Sequence, residues 1–305
     1  MRIGVDLGGT KIEAIALDAE RSTRGRIRRP TPRDDYHATV AAIVDVVAAV
    51  ERIAGARGTV GIGTPGAVSP ATGCMKNCNS TWLNGKPLHR DLAAALGRPL
   101  RVANDADCLA LSEAIDGAAA GAAVAFGVIL GTGVGGGVVV ERRPLSGPNA
   151  IAGEWGHNPL PWPHDDERPG AECYCGKRGC IETFLSGPGM ARDYAAATTD
   201  SATPAEIAAR AGAGDPAAAA TIERYVDRLA RALATVVNVL DPHVVVLAGG
   251  MSNLPDLCER VRDRWGGWTF SDRTDTRLAL ARHGDSSGVR GAALLWETGL
   301  GTREG

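Results

Sequence analysis

No apolar run in this 305-residue chain approaches the length of a membrane span. The opening residues, MRIGVDLGG, lack the basic and apolar regions of a secretory leader. An excess of either charge is missing too. Lys and Arg number 33 against 35 Asp and Glu, and the net charge of −2 offers no electrostatic hold on nucleic acid or on an anionic membrane surface. A strand begins almost at residue 1, with no length ahead of it for a helix-turn-helix, so no DNA-binding module is expected. Without a leader, the seven cysteines point to a reducing cytoplasm, not to a disulfide framework. What is present is a globular composition, 44% apolar and 22% charged, and enough length for two sizeable cores.

Glycine is placed with a pattern. Arg2 to Asp6 is a short apolar strand that runs into Gly8, Gly9, Thr10 and Lys11, and Ile12 to Leu17 is strand-like again. This turn joins two strands, unlike a Walker loop, which needs a following helix and a GK[ST] ending. Its chemistry is nonetheless similar. Glycines let backbone N–H groups approach phosphate oxygens, Thr10 adds a hydroxyl, Lys11 adds charge, and Asp6 at the strand end would face a Mg²⁺ travelling with a nucleotide. An ordinary Gly-Gly hairpin would read the same way. The design returns at 124–141, where a strand, then Gly131-Thr132-Gly133, then a second strand follow in order. Two such hairpins suggest a duplicated domain with phosphate held between the copies.

Between and after these turns the chain alternates strands and helices. Apolar spacing predicts a helix over 34–56 capped by Asp34, and a strand at 59–62 turning out through Gly63-Thr64-Pro65-Gly66. The loop at 77–85, NCNSTWLNG, reads either as a sugar-edge binder using its tryptophan or as plain surface. A strand at 100–103 ends on Asn104-Asp105-Ala106-Asp107 at the start of a helix that runs to about Gly117. Open α/β folds place reactive groups there, and plain N-caps sit there as well. Residues 117–121 look like a crossing between domains. Helices are expected at 181–195, 204–211 and 216–240, the last with a core-facing stripe. A strand at 243–247 leads through Gly249 and Gly250 into a helix at 254–265, bare backbone on which a ring or ribose can lie. A last strand at 278–281 and a closing helix from 286 to about 297 complete the pattern. Cys74, Cys78, Cys108 and Cys258 read as buried thiols.

The segment 154–182, EWGHNPLPWPHDDERPGAECYCGKRGCIE, has little apolar material but holds His157, His164, Cys173, Cys175 and Cys180, with Glu154 and Glu182 at its ends. Thiolate and imidazole are the ligands tetrahedral Zn²⁺ prefers, and four of them close a structural site. A thiol switch is the competing reading, and spacing alone does not choose between the two histidines.

DLGGTK, GTGVGGG, EWGH…CYCGKRGCIE and LAGGMS occur in that order, and together they resemble the ROK family of bacterial sugar kinases and sugar-responsive repressors, from residue 1 to about 296. Within it, NSTWLNG, EWGHNPLPW, CYCGKRGCIETF and ARHGDSSGVRGAA look most like the fructokinase/mannokinase branch. The resemblance implies an α/β, actin-like (ribonuclease-H-like) ATPase fold with two domains around a cleft. These would be 1–118, completed by a C-terminal helix over 287–305, and a larger 119–286 carrying the zinc loop, with a hinge near 118. It implies Asp105 as general base and Asn104 as a sugar ligand beside it. Glu154, His157 and Glu182, with Gly66, Asn79 and Ser80, would complete the sugar pocket. Asp6, Gly8, Gly9, Thr10 and Lys11 would bracket the ATP phosphates with Gly131, Thr132 and Gly133, while Gly249 and Gly250 border adenosine. The family's Gly-His falls on His157, which would join Cys173, Cys175 and Cys180 on a structural Zn²⁺. The implied activity is an ATP- and Mg²⁺-dependent hexose kinase, first for D-fructose at O6, with mannose or glucose behind it. Glucokinase or N-acetylhexosamine kinase specificity, a non-catalytic sugar-sensing regulator and an actin-like mechanical ATPase are the alternatives. A homodimer is the family-level expectation.

Overall fold

A computed structural model describes residues 1–298 of the chain. The end of the helix expected to reach 305 lies outside the described residues.

The elements run as follows: β1 (Arg2–Leu7), β2 (Lys11–Leu17), β3 (Thr23–Pro30), α1 (Tyr36–Ala54), β4 (Thr59–Thr64), β5 (Ala67–Val68), β6 (Met75–Lys76), α2 (Leu88–Leu96), β7 (Leu100–Asn104) and α3 (Asp105–Asp116). Next come β8 (Val124–Leu130), β9 (Val134–Val140), β10 (Arg143–Pro144), α4 (Ile181–Leu185), α5 (Gly187–Thr198), α6 (Pro204–Gly212) and α7 (Pro216–Leu240). The last are β11 (Val244–Ala248), α8 (Leu257–Trp265), β12 (Arg277–Leu280) and α9 (Ser287–Leu294). Two five-stranded sheets form, in the orders β3-β2-β1-β4-β7 and β10-β9-β8-β11-β12. In each, the hairpin built on a glycine turn supplies the centre and two later strands extend it in parallel, so the same strand order occurs twice. This is the actin-like ATPase fold.

Two compact units partition the chain. The first comprises Met1–Ala123, Gly137–Ala152 and the segment from Asp285 onward; the second comprises Val124–Gly136 and Gly153–Gly284.

In the first unit, apolar residues of β1, β2, β4 and α1 form one core that includes Ile3, Val5, Ile12, Ile43, Val47 and Ile62. α9 closes on the sheet at backbone contact distance. A Cβ on Gly4 would lie 2.1 Å from the Val289 carbonyl oxygen, and one on Gly61 would lie 1.9 Å from that of Ala292. Burying these strands lets the β1–β4–β7 register hold firm, and that register places the reactive ends. Glu13, Asp6, Gly63 and Ala103 stand in one row across β2, β1, β4 and β7.

Several local expectations change. Asp35, not Asp34, caps α1: its side chain accepts from Ala38 N, while Asp34 adopts a positive φ of 61°. The helix expected over 181–195 is two helices, broken at Ser186, whose hydroxyl accepts from Gly189 N to start α5. β3, the sequence TRGRIRRP, gave no apolar signal because it is an edge strand carrying arginines. Cys78 and Cys108 are buried as expected, but Cys74 and Cys258 are only half-buried.

Candidate functional site: two glycine turns, a carboxylate group and a metal-ligand cluster

In the first unit, the parallel strands end together and deliver their carboxylates to one edge. Asp105 is the first residue of α3, half-buried, one position past the end of β7. The capping function considered for Asp105 or Asp107 belongs to Asn104, whose Oδ1 accepts from Ala106 N at 2.8 Å. Asp105 Oδ1 takes the same N–H at 2.8 Å, which fixes the carboxylate's rotamer at a helix N-terminus. Asn104 also donates through Nδ2 to the Gly66 carbonyl at 3.3 Å, so it joins β7 to the turn leaving β4. Gly66 has φ 73°, and a Cβ there would lie 2.3 Å from the Lys76 carbonyl; only glycine fits.

Asp6 lies between two more glycines, with hypothetical Cβ atoms on Gly63 and Gly288 3.8 and 3.9 Å from its carboxylate oxygens. Burial pushes its pKa up to about 7; Asp105 and Glu13 add to the rise, while Lys11 and Arg28 oppose it. Asp6 and Asp105 therefore feel one another's charge. Glu13 is buried and held by Arg26 at 2.5 Å and Arg28 at 2.6 Å, both from β3. Sequence reading missed this trio, whose signal was an acid in an apolar strand facing a basic strand. Two half-buried acids, Asp6 and Asp105, in a space cleared by glycine suit a hydrated Mg²⁺.

The first glycine turn is closed by Gly8 N donating to the Lys11 carbonyl at 2.9 Å, and the Thr31 hydroxyl donates to the Gly8 carbonyl at 2.7 Å. Thr10 is exposed and Lys11 half-buried. A Cβ on Gly9 would lie 3.4 Å from Ser80 Oγ, so the structure brings the 77–85 loop to this turn. Ser80 is buried and Asn79 exposed. Asn84 shapes the loop by accepting from Cys78 N at 2.9 Å and donating back to its carbonyl at 3.0 Å. Trp82 is half-buried and donates its indole N–H to the Thr39 hydroxyl at 3.2 Å, anchoring the loop on α1.

The second unit holds the other glycine turn. Gly131 N donates to the Gly133 carbonyl at 2.9 Å, Gly187 N at the start of α5 donates to the Gly131 carbonyl at 2.8 Å, and Thr132 lies exposed between them. Glu182, on α4, accepts from Val134 N at 2.9 Å and so braces the turn. Gly249 belongs to the same group: it has φ 87°, and a Cβ there would lie 2.4 Å from the Leu130 carbonyl. Gly250 is open, with nothing within 4 Å of a hypothetical Cβ. The helix expected over 254–265 begins three residues later, at Leu257, and a short 3₁₀ turn, Gly250–Asn253, follows the glycine pair.

His157 Nδ1, Cys173 Sγ, Cys175 Sγ and Cys180 Sγ lie within 4.8 Å of one another. His157 Nδ1 is 3.5 Å from Cys173 Sγ, and the sulfurs of Cys175 and Cys180 are 3.6 Å apart. A tetrahedral site with metal–sulfur bonds near 2.3 Å implies sulfur–sulfur edges of about 3.8 Å, so the four donors fit one ion. Burial pushes the Cys180 thiol up to about 12 and raises Cys173 as well, a desolvation that a cation would offset. His164 is not part of the cluster; it is exposed and faces Asp227 at 3.6 Å. Glu154 immediately precedes the short helical turn Trp155–His157, whose Trp155 is buried edge-on to Phe126 and donates to the Gly135 carbonyl at 3.1 Å.

Beneath this loop lies an ion network that the sequence did not advertise. Glu167 is buried and bonded by Arg228 at 2.7 Å and by Arg231 at 2.8 and 3.0 Å, both projecting from α7. Arg231 also donates to the carbonyls of Pro161 and Trp162, at 3.1 and 2.8 Å. The loop is thus clamped at one end by its ligand cluster and in its middle by a helix.

The ROK family profile matches residues 2–299. An N-acetyl-D-glucosamine kinase of Shigella boydii is 41% identical over 299 residues, covering 97% of this chain and 99% of that one. Among solved structures, a ROK hexokinase from Thermus thermophilus is 33% identical with a TM-score of 0.86, covering 96% and 97% of the two chains. A ROK-family glucokinase from Streptomyces griseus, solved with glucose and AMPPNP, is 28% identical with a TM-score of 0.79 over 96% and 98%. The chain belongs to the ROK family.

Proposed function

We propose that this chain transfers the γ-phosphoryl group of ATP to the 6-hydroxyl of a hexose, D-fructose first, with mannose or glucose as lesser substrates. It is an ATP-dependent sugar kinase of the ROK family; the choice of sugar and the residue roles are the proposal. The observation that carries it is Asp105, a half-buried carboxylate oriented at a helix N-terminus and coupled electrostatically to Asp6.

Phosphoryl transfer depends on in-line positioning and charge neutralisation. A sugar hydroxyl is too weak an acid to attack unaided, so Asp105 takes its proton as the O–P bond forms. Asp6 holds the Mg²⁺ that arrives with ATP, and the two glycine turns, with Thr10, Lys11 and Thr132, offer donors to the phosphates. Gly249 and Gly250 give adenosine a bare surface. Asn104, Glu154, His157 and Glu182, with Gly66, Asn79 and Ser80, orient the sugar. His157 Nδ1 and the three cysteines hold a Zn²⁺ that is structural, since protein fills all four positions.

A second sugar is favoured by a specific observation: the relatives at 40–41% identity are N-acetyl-D-glucosamine kinases. A coupled assay giving kcat/KM for fructose, mannose, glucose and N-acetyl-D-glucosamine decides between the two readings. Asp105→Asn should bind metal normally yet lose about 10²- to 10⁴-fold in turnover. More than about a tenth of wild-type turnover would remove Asp105 from the role of base.

A further inference from the structure

Tyr174 stands between two of the cluster's cysteines, and its side chain is unusual for a residue in so constrained a loop. It is 67% exposed, yet its hydroxyl lies 2.9 Å from His157 Nε2 and its ring meets the imidazole edge-on, centroids 5.0 Å apart at 90°. Both flanks are fixed: Cys173 N donates to the Lys177 carbonyl at 2.8 Å and Gly176 N to the Cys173 carbonyl at 2.9 Å. An aromatic ring left two-thirds in water gains little from burial. What holds it over the histidine is the hydrogen bond and the edge contact.

The tautomer decides what that bond is. With Nδ1 turned to Cys173 and the metal position, a neutral imidazole carries its one proton on Nε2. That N–H is the donor, and the phenol oxygen accepts. His157 Nε2 is the donor that the proposed sugar site offers to a hexose hydroxyl, and it has one proton to give.

We propose that Tyr174 is a displaceable cap on the sugar-binding nitrogen of His157: its phenol holds the donor in the empty site and must leave when a hexose takes that proton. The idea deepens the kinase reading and rests on it. Tyr174 acts as a positioning residue, setting sugar affinity through His157.

The test uses full-length, zinc-loaded protein with Asp105 intact and no nucleotide present, so turnover does not disturb binding. Titration calorimetry with D-fructose and, separately, N-acetyl-D-glucosamine compares Tyr174 with Tyr174→Phe, alongside zinc per chain by elemental analysis. Removing the competing oxygen while keeping the ring should tighten the sugar Kd about 2- to 10-fold, the range of a net neutral hydrogen bond, with zinc content at wild-type level. An unchanged Kd would show that the phenol does not compete. A weakened Kd would mean that Tyr174 binds sugar directly or supports the loop, and loss of zinc would identify the supporting role. Each of these overturns the cap. Failure of every hexose to bind the Tyr174 protein would instead fault the sugar site itself, which separates the two failures.

Discussion

Val134 N–H donates to Glu182 Oε2 at 2.9 Å, so one carboxylate braces the second glycine turn from the start of α4. The space is tight, since a Cβ on Gly133 would lie 2.6 Å from that oxygen. Glu182 therefore has two tasks in the proposed kinase, one toward sugar and one toward the phosphate turn.

These tasks separate by substitution. Glu182→Gln keeps an acceptor for Val134 N but loses the charge, and should raise the KM for sugar while leaving the KM for ATP near wild type. Glu182→Ala removes the acceptor altogether and should raise both, each by about tenfold or more, as expected for loss of a charge-assisted hydrogen bond. Steady-state kinetics with each substrate varied in turn give the answer. An ATP KM unmoved by alanine would show that the turn stands without its brace.

Glu167 tests stability without touching the proposed chemistry. Its side chain is 3% exposed, Arg228 and Arg231 are 6% and 0% exposed, and the guanidinium groups hold its carboxyl down at about 2 against the cost of burial. Glu167→Ala removes the acid shared by Arg228 and Arg231, which keep Asp193 and Asp227 as partners, and should cost about 1–3 kcal/mol, read from urea unfolding. The folded pKa lies below the ordinary 4.5, so the unfolded chain binds the proton more readily. The stabilisation is complete above 4.5 and is lost as pH falls toward about 2. Unfolding of the alanine variant should lack that acid-side decline.

How far the sequence foretold this structure depends on which interactions were local. Both glycine hairpins, the helix over 216–240 and the strand ends at Asp6 and Asp105 were readable, because period and turn chemistry are written in neighbouring residues. Ligand types spaced along one loop made the cysteine cluster readable as well. Residues acting across long separations were not. Glu167 meets Arg231 64 positions away, Glu13 meets Arg28 across a hairpin, and Trp82 meets Thr39 on another element. Tyr174 was passed over for a different reason: it stands between two ligands without being one, and only the direction of the His157 ring gives it meaning.

Asp6 makes a pH prediction of the opposite sign to Glu167. Its folded pKa, about 7, lies above the ordinary 3.8, so the folded chain holds a proton that the unfolded chain has released. Stability in the absence of nucleotide should therefore fall as pH rises from about 4 to about 7. Asp6→Asn cannot ionise, so its melting temperature should be flatter across that window and higher than wild type at pH 8. The same substitution should lower kcat at least about tenfold, because a ligand for the nucleotide's Mg²⁺ is gone. Thermal melts at intervals from pH 4 to 8 provide the test. Parallel curves for the two proteins would show that the raised Asp6 is not what tilts them.

The metal cluster allows a sharper separation of scaffold from chemistry. If the four donors close a structural ion, none of its positions is open to water or substrate, and the ion's contribution is conformational. Purified protein should then carry one zinc per chain. Cys180→Ser should lose that metal and drop hydrogen-exchange protection across 155–182, while Glu167 still grips the middle of the loop from α7. Activity should fall with the loss of order, since Glu154, His157 and Glu182 are all carried on or beside the loop, and should return when zinc is restored to chelated wild-type protein but not to Cys180→Ser. Metal-free wild-type protein that keeps both its protection and its turnover would mean that the buried Glu167 network alone is enough to shape the loop, leaving the cysteines to be explained by redox chemistry instead.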